Sequence, residues 1–157
     1  MLVYRIASTK CIRDLSGEGA RRFGGRWNKK GISALYTSEN LALAALEILA
    51  NTPVFSMPDL LSAIILQIPD TSITEIKSAG LPSDWKKYPV PDILKEMGSE
   101  WLLSGESLVL KVPSVIIDME YNYILNSHHL LIEKVKIMNV IPFSFDGRLF
   151  KEEPANG

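Results

Sequence analysis

The stretch GEGARRFGGRWNKKG, residues 17–31, gathers five basic residues, five glycines and two aromatic residues around a single acid, Glu18. Glycine permits backbone conformations that other residues rarely adopt, and it lets the chain approach a ligand closely. The planar guanidinium of arginine suits bidentate binding of phosphate. We therefore interpret this stretch, the glycine-arginine loop, as a candidate anion-binding segment centred on Arg26. A flexible basic loop with solvated charges is the alternative that the residues alone leave open.

The chain as a whole is nearly neutral. Its 157 residues include 17 Lys and Arg against 18 Asp and Glu, for a net charge of -1, and 46% are hydrophobic. These values are typical of a globular protein and exclude a disordered or fibrous chain. Because a general nucleic-acid-binding protein carries a basic excess, no direct nucleic-acid binding is expected, and the basic cluster is a local feature.

Cysteine usage and apolar patterning indicate a cytoplasmic protein. Cys11 is the single cysteine, so no internal disulfide can form, as is typical of a reducing compartment. The N-terminal residues MLVYRIAST contain Arg5 and no small-residue cleavage site, unlike a signal peptide. The most apolar segments are too short to span a bilayer. The length favours one domain over residues 1–157.

The order of predicted elements favours an α+β fold over a doubly wound parallel sheet, because strands and helices do not alternate regularly. A long loop is expected over residues 11–31. One helix is predicted from an N-cap at Ser38 to about Ala50, and a second after Pro91, broken at Gly98. Strands are predicted at residues 2–7, 33–37, 61–68, 73–77, 108–112, 115–118 and 132–141.

Glu47 lies in the narrow polar gap of the first predicted helix. Large apolar residues cover most of that helix, and the gap also contains the small Ala44. Two interpretations follow, a solvated helix face or a carboxylate that lines a ligand site. Periodicity does not choose between them.

No metal or standard nucleotide signature is present. His128 and His129 are adjacent and so point apart in most backbone conformations, and no cysteine pair or HExxH accompanies them. Ser114, His129 and Asp118 could form a hydrolase triad on paper, but no GxSxG motif supports it. Neither a Walker motif nor a GxGxxG after a strand occurs.

Taken in order, several segments resemble the RES family, bacterial toxins named for Arg, Glu and Ser. The resemblance covers essentially the whole chain, and the order and spacing of its pieces are specific. The matching segments are LSGEGARRFGGRWNKKG (15–31), ALYTSENLALAALEIL (34–49), GSEW (98–101), LKVPSVIID (110–118), NYILNSHH (122–129) and FSFDGRLF (143–150).

The resemblance implies a site. The family arginine falls on Arg26, its tyrosine on Tyr36, its glutamate on Glu47 and its serine on Ser114. The family fold is similar to that of ADP-ribosyltransferases, with small mixed or antiparallel sheets and flanking helices around an NAD cleft, and its members consume NAD+. These four residues are therefore expected to be catalytic, with NAD+ as substrate and neither a resident cofactor nor a metal.

Two further residues and two departures complete the comparison with the family. Trp27 and Asn122 are expected at the NAD site, Trp27 also anchoring the loop in the core. Ser127 and Leu130 stand where the family usually has proline, which bears on the shape of that loop.

The expected activity is cleavage of the nicotinamide–ribose bond, with net NAD+ depletion by a glycohydrolase or a phosphorylase. The implied partner is an Xre-type helix-turn-helix antitoxin, with a toxin homodimer as one arrangement inside that complex. An ADP-ribosyltransferase acting on a protein, and an inactive module that only binds the antitoxin, are the alternatives. Intact Arg26, Tyr36, Glu47 and Ser114 argue against an inactive module.

Overall fold

Seven strands and three α-helices make up the fold of the computed structural model, which describes residues 1–151. The last six residues of the expected 1–157 domain lie outside the described part. The helices are α1 (Glu18–Phe23), α2 (Leu41–Asn51) and α3 (Asp92–Ser104). The strands are β1 (Leu2–Ser8), β2 (Leu35–Ser38), β3 (Leu61–Gln67), β4 (Ile73–Glu75), β5 (Val109–Pro113), β6 (Tyr121–Leu125) and β7 (Lys136–Phe143). The predicted α+β fold class is confirmed.

All seven strands belong to one mixed sheet in the order β4-β5-β6-β2-β1-β3-β7. Every neighbouring pair is antiparallel except β4 and β5, which are parallel. The short strand β2 therefore lies between β1 from the start of the chain and β6 from its last third. This placement brings Ser38 directly opposite Asn122.

The two faces of the sheet are covered differently. One face carries a continuous apolar core that includes Leu35, Leu66 and Leu125. The other face carries two separate clusters, one against α2 and one against α3 and the glycine-arginine loop. The α2 cluster contains Ile6, Ala44, Leu61 and Ala63; the α3 cluster contains Trp27, Ala34, Trp85, Leu94, Trp101, Leu102, Leu110, Val112 and Ile124. Because side chains alternate along a strand, Tyr36, Ser38 and Asn122 all lie on this second face.

The N-cap of α2 differs from the prediction. Asn40, not Ser38, caps the helix, and its Oδ1 accepts a hydrogen bond from the Leu43 N–H at 2.7 Å. Asn and Ser are both good N-caps, so the sequence alone offered two choices. Ser38 instead ends β2, where its hydroxyl is free to bond across the sheet.

The glycine-arginine loop contains a helix that the sequence analysis did not predict. Glu18 in the first turn of α1 pairs with Arg21 at 2.6 Å and with Arg22 at 3.1 Å. These pairs are three and four residues apart, the spacing at which helical side chains meet. The two guanidinium groups lower the pKa of Glu18 to about 2, and Glu18 in turn partly neutralises the charges of Arg21 and Arg22.

Other elements also differ from the predictions. Helix α3 passes through Gly98 without a break, because this glycine packs against the loop rather than ending the helix. Residues 115–118 form a bend and the start of a turn rather than a strand, because the Ser114 hydroxyl accepts the N–H groups of Ile116 and Ile117. The last strand is Lys136–Phe143 rather than 132–141, and it follows a short 3₁₀ helix. Strand β6 was not predicted.

Within the described residues, none of the helices combines the length and apolar character needed to cross a membrane.

Candidate active site

The Glu47 carboxylate is the centre of a polar group on the second face of the sheet. Helix α2 brings this half-buried side chain over the strands, beside Ala44, which is 5% exposed. Its Oε1 accepts two hydrogen bonds, from Ser114 Oγ at 2.9 Å and from Asn122 Nδ2 at 2.6 Å. The polar gap of α2 is therefore not simply a solvated face, because protein donors hold the carboxylate in one orientation.

Ser114 lies beneath the carboxylate, at the end of β5. Its side chain is 0% exposed, and its Oγ accepts the N–H groups of Ile116 at 3.1 Å and Ile117 at 3.2 Å. With both acceptor positions occupied, the hydroxyl proton is directed to Glu47. Ser114 therefore donates to the Glu47 carboxylate and is placed to orient it.

Asn122 reaches Glu47 from β6. Its Nδ2 donates to the carboxylate, while its Oδ1 accepts a hydrogen bond from Ser38 Oγ at 2.7 Å. Ser114, which follows β5, and Asn122 from β6 therefore both donate to the one carboxylate that α2 carries. Sequence analysis did not connect Ser38 with this group.

Arg26 approaches the same region from the glycine-arginine loop. Its half-buried guanidinium donates from Nη1 to the backbone carbonyl of Trp85 at 2.9 Å and to that of Lys87 at 3.5 Å. Burial lowers the pKa of Arg26, and the nearby negative charge of Glu47 acts in the opposite direction. The two charges predicted for the site therefore lie within electrostatic reach of each other.

An ion pair joins the segment beside Arg26 to the loop after Ser114. Lys86, in the segment that receives the Arg26 hydrogen bonds, pairs with Asp118 in the loop that follows Ser114. The ammonium group lowers the pKa of the Asp118 carboxyl below its ordinary value. Both side chains are largely exposed, so the pair contributes little to stability but links the two segments.

Tyr36 holds the glycine-arginine loop against the sheet. Its hydroxyl accepts the Trp27 N–H at 3.0 Å and donates to Asn28 Oδ1 at 2.7 Å. Burial raises the pKa of this hydroxyl, so it stays protonated and able to donate. A Cβ at Gly25 would lie 2.6 Å from the hydroxyl oxygen, which explains a glycine at that position.

The Asn28 side chain holds the glycine-arginine loop together by hydrogen bonds to its backbone, a role that was not predicted from the sequence. The side chain is 0% exposed, and its Nδ2 donates to the carbonyls of Ala20 at 2.8 Å and Ile32 at 3.0 Å. Trp27, at 2% exposed, is buried in the α3 cluster, and this burial agrees with an anchor. The Trp27 side chain packs into the α3 cluster, whereas the neighbouring Arg26 donates to the backbone carbonyls of Trp85 and Lys87.

We expect Tyr36→Phe to lower the free energy of unfolding by about 2 kcal/mol, because the Trp27 N–H and the Asn28 side-chain carbonyl would each lose a buried partner. Urea unfolding followed by tryptophan fluorescence measures this loss. Tyr88→Phe is the matched control, since Tyr88 is 89% exposed. Equal stability of the two variants would show that the hydroxyl does not brace the loop.

Two surface depressions flank the glycine-arginine loop. One, of about 390 Å³, lies beside α3 and includes Lys30 and Lys95. The other, of about 350 Å³, includes Tyr36 and residues of α1. Glu47 lines neither depression, so its hydrogen bonds and the neighbouring Arg26, rather than a cavity, define the candidate site.

The RES domain family model matches residues 2–146 of this sequence. The chain belongs to the RES domain family. "Toxin Res" of Yersinia enterocolitica is 33% identical over 151 residues, covering 95% of this chain and 99% of the relative. "Toxin Res" of Photorhabdus laumondii is 36% identical over 157 residues, covering 96% and 98%.

A third relative of this RES chain has a more specific name. The "Prs ADP-ribosylating toxin" of a Sphingobium species is 32% identical over 142 residues, covering 88% of each chain. Among solved structures, a chain of the M. tuberculosis MbcT-MbcA toxin-antitoxin complex is similar, with a TM-score of 0.76 and 17% identity. The match covers 91% of this chain and 84% of that chain, and it supports the fold.

Proposed function

We propose that this RES protein is a toxin that cleaves the nicotinamide–ribose bond of NAD+. The observation that carries the proposal is the Glu47 carboxylate, oriented by Ser114 and Asn122 and within electrostatic reach of Arg26. Membership of a family whose named relatives are toxins supports the toxic role. NAD+ is present in the cytoplasm, and that is where such a toxin would act.

A single carboxylate is sufficient for this reaction. When the bond to ribose breaks, positive charge develops on the sugar as in an oxocarbenium ion, and nicotinamide leaves as a neutral molecule. No general acid is needed for that leaving group, unlike the pair of carboxyl groups used in ordinary glycoside hydrolysis. Glu47 would bind a ribose hydroxyl and stabilise the developing charge electrostatically.

Arg26 and Tyr36 supply the rest of the recognition in this proposal. The guanidinium would bind the pyrophosphate or the adjoining ribose, since its fork matches those oxygens. The ring of Tyr36 would face the nicotinamide, which is cationic before cleavage and attracted to a π face. Ser114 and Asn122 would act mainly through Glu47, and Trp27 would hold the loop that presents Arg26.

The acceptor distinguishes three reactions with one cleavage step in common. Water gives nicotinamide, ADP-ribose and a proton; phosphate gives nicotinamide and a phosphorylated ADP-ribose; a protein nucleophile gives nicotinamide, an ADP-ribosylated protein and a proton. We favour water or phosphate, and thus NAD+ depletion. Protein modification is the second candidate, because the Sphingobium relative is named for ADP-ribosylation.

An Xre-type helix-turn-helix antitoxin is the proposed partner. A protein that consumes NAD+ without control would harm its host, and the structural neighbour comes from a toxin-antitoxin complex. The antitoxin would restrain the toxin by covering the site near Glu47 and Arg26.

The test is nicotinamide release from NAD+ by the purified protein, freed of any antitoxin. Reactions would contain buffer alone, phosphate, or a cell extract, with NAD+ labelled in the adenylate. We expect nicotinamide release, with label in small molecules for depletion and in precipitated protein for modification. No release under any of the three conditions from folded protein would contradict the proposed activity.

A further inference from the structure

The two oxygens of the Glu47 carboxylate have unequal surroundings. Oε1 accepts hydrogen bonds from Ser114 at 2.9 Å and Asn122 at 2.6 Å. Oε2, within the described residues, has one side-chain donor within hydrogen-bond distance, the exposed Asn51 at a long 3.4 Å. Oε1 is therefore the fixed oxygen, and Oε2 is the one that can take a new donor.

The Asn122 amide can support Glu47 in one orientation only. With Nδ2 toward the carboxylate, the amide donates; with Oδ1 there, two acceptor oxygens would face each other at the same short separation. An amide side chain can rotate between these orientations unless another group distinguishes its ends. The Ser38 hydroxyl, 2.7 Å from Oδ1, supplies that distinction by donating to the carbonyl end.

Ser38 lies too deep to touch a substrate itself. Its side chain is 3% exposed, at the end of β2 and directly across the sheet from Asn122. Its backbone is paired in the sheet on both sides, with β1 and with β6. Any effect of its hydroxyl on chemistry must therefore pass through Asn122.

We propose that Ser38 is a positioning residue for the reaction. Ser38 orients the Asn122 amide, Asn122 fixes Oε1 of Glu47, and Oε2 is left facing the ribose where positive charge develops. This assignment rests on the proposed NAD+ cleavage at Glu47, and it deepens that function rather than adding another.

A double-mutant cycle tests the proposal, with kcat and KM for nicotinamide release measured in wild type, Ser38→Ala, Asn122→Ala and the double variant. We expect Ser38→Ala to lower kcat about tenfold, the size expected for losing hydrogen bonding that orients a charged group, with KM nearly unchanged. In the Asn122→Ala background the Ser38 substitution should have no further effect on kcat, since its influence has no other route.

Ser62→Ala is the matched control. Ser62 is also a buried strand serine, 4% exposed, whose hydroxyl shares a hydrogen bond with Thr9 away from Glu47. It should reproduce any loss of thermal stability in Ser38→Ala while leaving kcat at the wild-type value. A purely structural role would give both serine variants the same kinetics.

The outcomes distinguish a failure of the positioning role of Ser38 from a failure of the proposed NAD+ cleavage. An active wild type with wild-type kcat in Ser38→Ala, or with a further tenfold loss of kcat in the double variant, would overturn the positioning role alone. A folded wild type that releases no nicotinamide with any acceptor would overturn the proposed function together with the inference.

Discussion

Replacing Glu47 with Gln is expected to lower kcat for nicotinamide release by about 10²–10³-fold, the usual loss when one preorganised electrostatic contact is removed. Gln has the same shape, and its carbonyl oxygen can still accept hydrogen bonds from Ser114 and Asn122. The substitution therefore removes the negative charge without dismantling the surrounding contacts. Quantifying nicotinamide by chromatography over a range of NAD+ concentrations separates kcat from KM.

The control for this substitution is Glu106→Gln, which removes an exposed carboxylate in the turn after α3. Both variants should melt close to wild type, and only Glu47→Gln should lose activity. If Glu47→Gln retained kcat within about twofold of wild type, far from the loss expected of a charge-stabilising group, another group would have to stabilise the cleaved sugar.

The Gly98→Ala substitution should destabilise the protein by about 3 kcal/mol, at the upper end of what overpacking usually costs. A Cβ at this position would lie 1.9 Å from the Trp27 carbonyl oxygen and 2.7 Å from its carbonyl carbon. Backbone cannot move aside as a flexible side chain can, so the loop and α3 must separate. We expect the melting temperature to fall by about 6–12 °C, and nicotinamide release to fall as Arg26 is displaced.

Gly19→Ala is the matched control, because Gly19 is also a helical glycine but has open space around its Cβ position. Alanine there should leave stability unchanged or raise it by up to about 1 kcal/mol, since glycine is a poor helix former. Differential scanning calorimetry of both variants separates the steric effect from the change in helix propensity. Equal melting temperatures would show that α3 does not need close contact with Trp27.

Residue types and apolar runs in the sequence predicted several strands and helix α2. Residues that favour extended structure predicted β1, an apolar run predicted β3, and the mostly apolar run around Leu43 predicted α2. The same signals were ambiguous where two local solutions compete: Ser38 and Asn40 are both good N-caps, and only the end of β2 decides between them. Gly98 was predicted to break the helix, because local sequence does not show that a side chain there would clash with the backbone of the distant Trp27.

The candidate site depended on information that no local pattern contains. Glu47 and Ser114 were identified through family resemblance, but their hydrogen bond joins residues 67 positions apart. The role of Ser38 follows from the strand register that sets it opposite Asn122. Asn28 carried a signal that could have been used, because a lone amide in a glycine-rich loop can satisfy several backbone groups at once.

The pairing of β2 with β6 has a consequence for how the protein is made. Strand β2 pairs on one side with β6, and the Ser38–Asn122 contact spans 84 residues. A growing chain on the ribosome displays Arg26, Tyr36 and Glu47 long before Asn122 is synthesised. Such long-range pairings form only after the intervening chain is available. The Glu47 carboxylate therefore lacks its Asn122 donor for most of the synthesis of the chain, and products that end before β6 never acquire that donor.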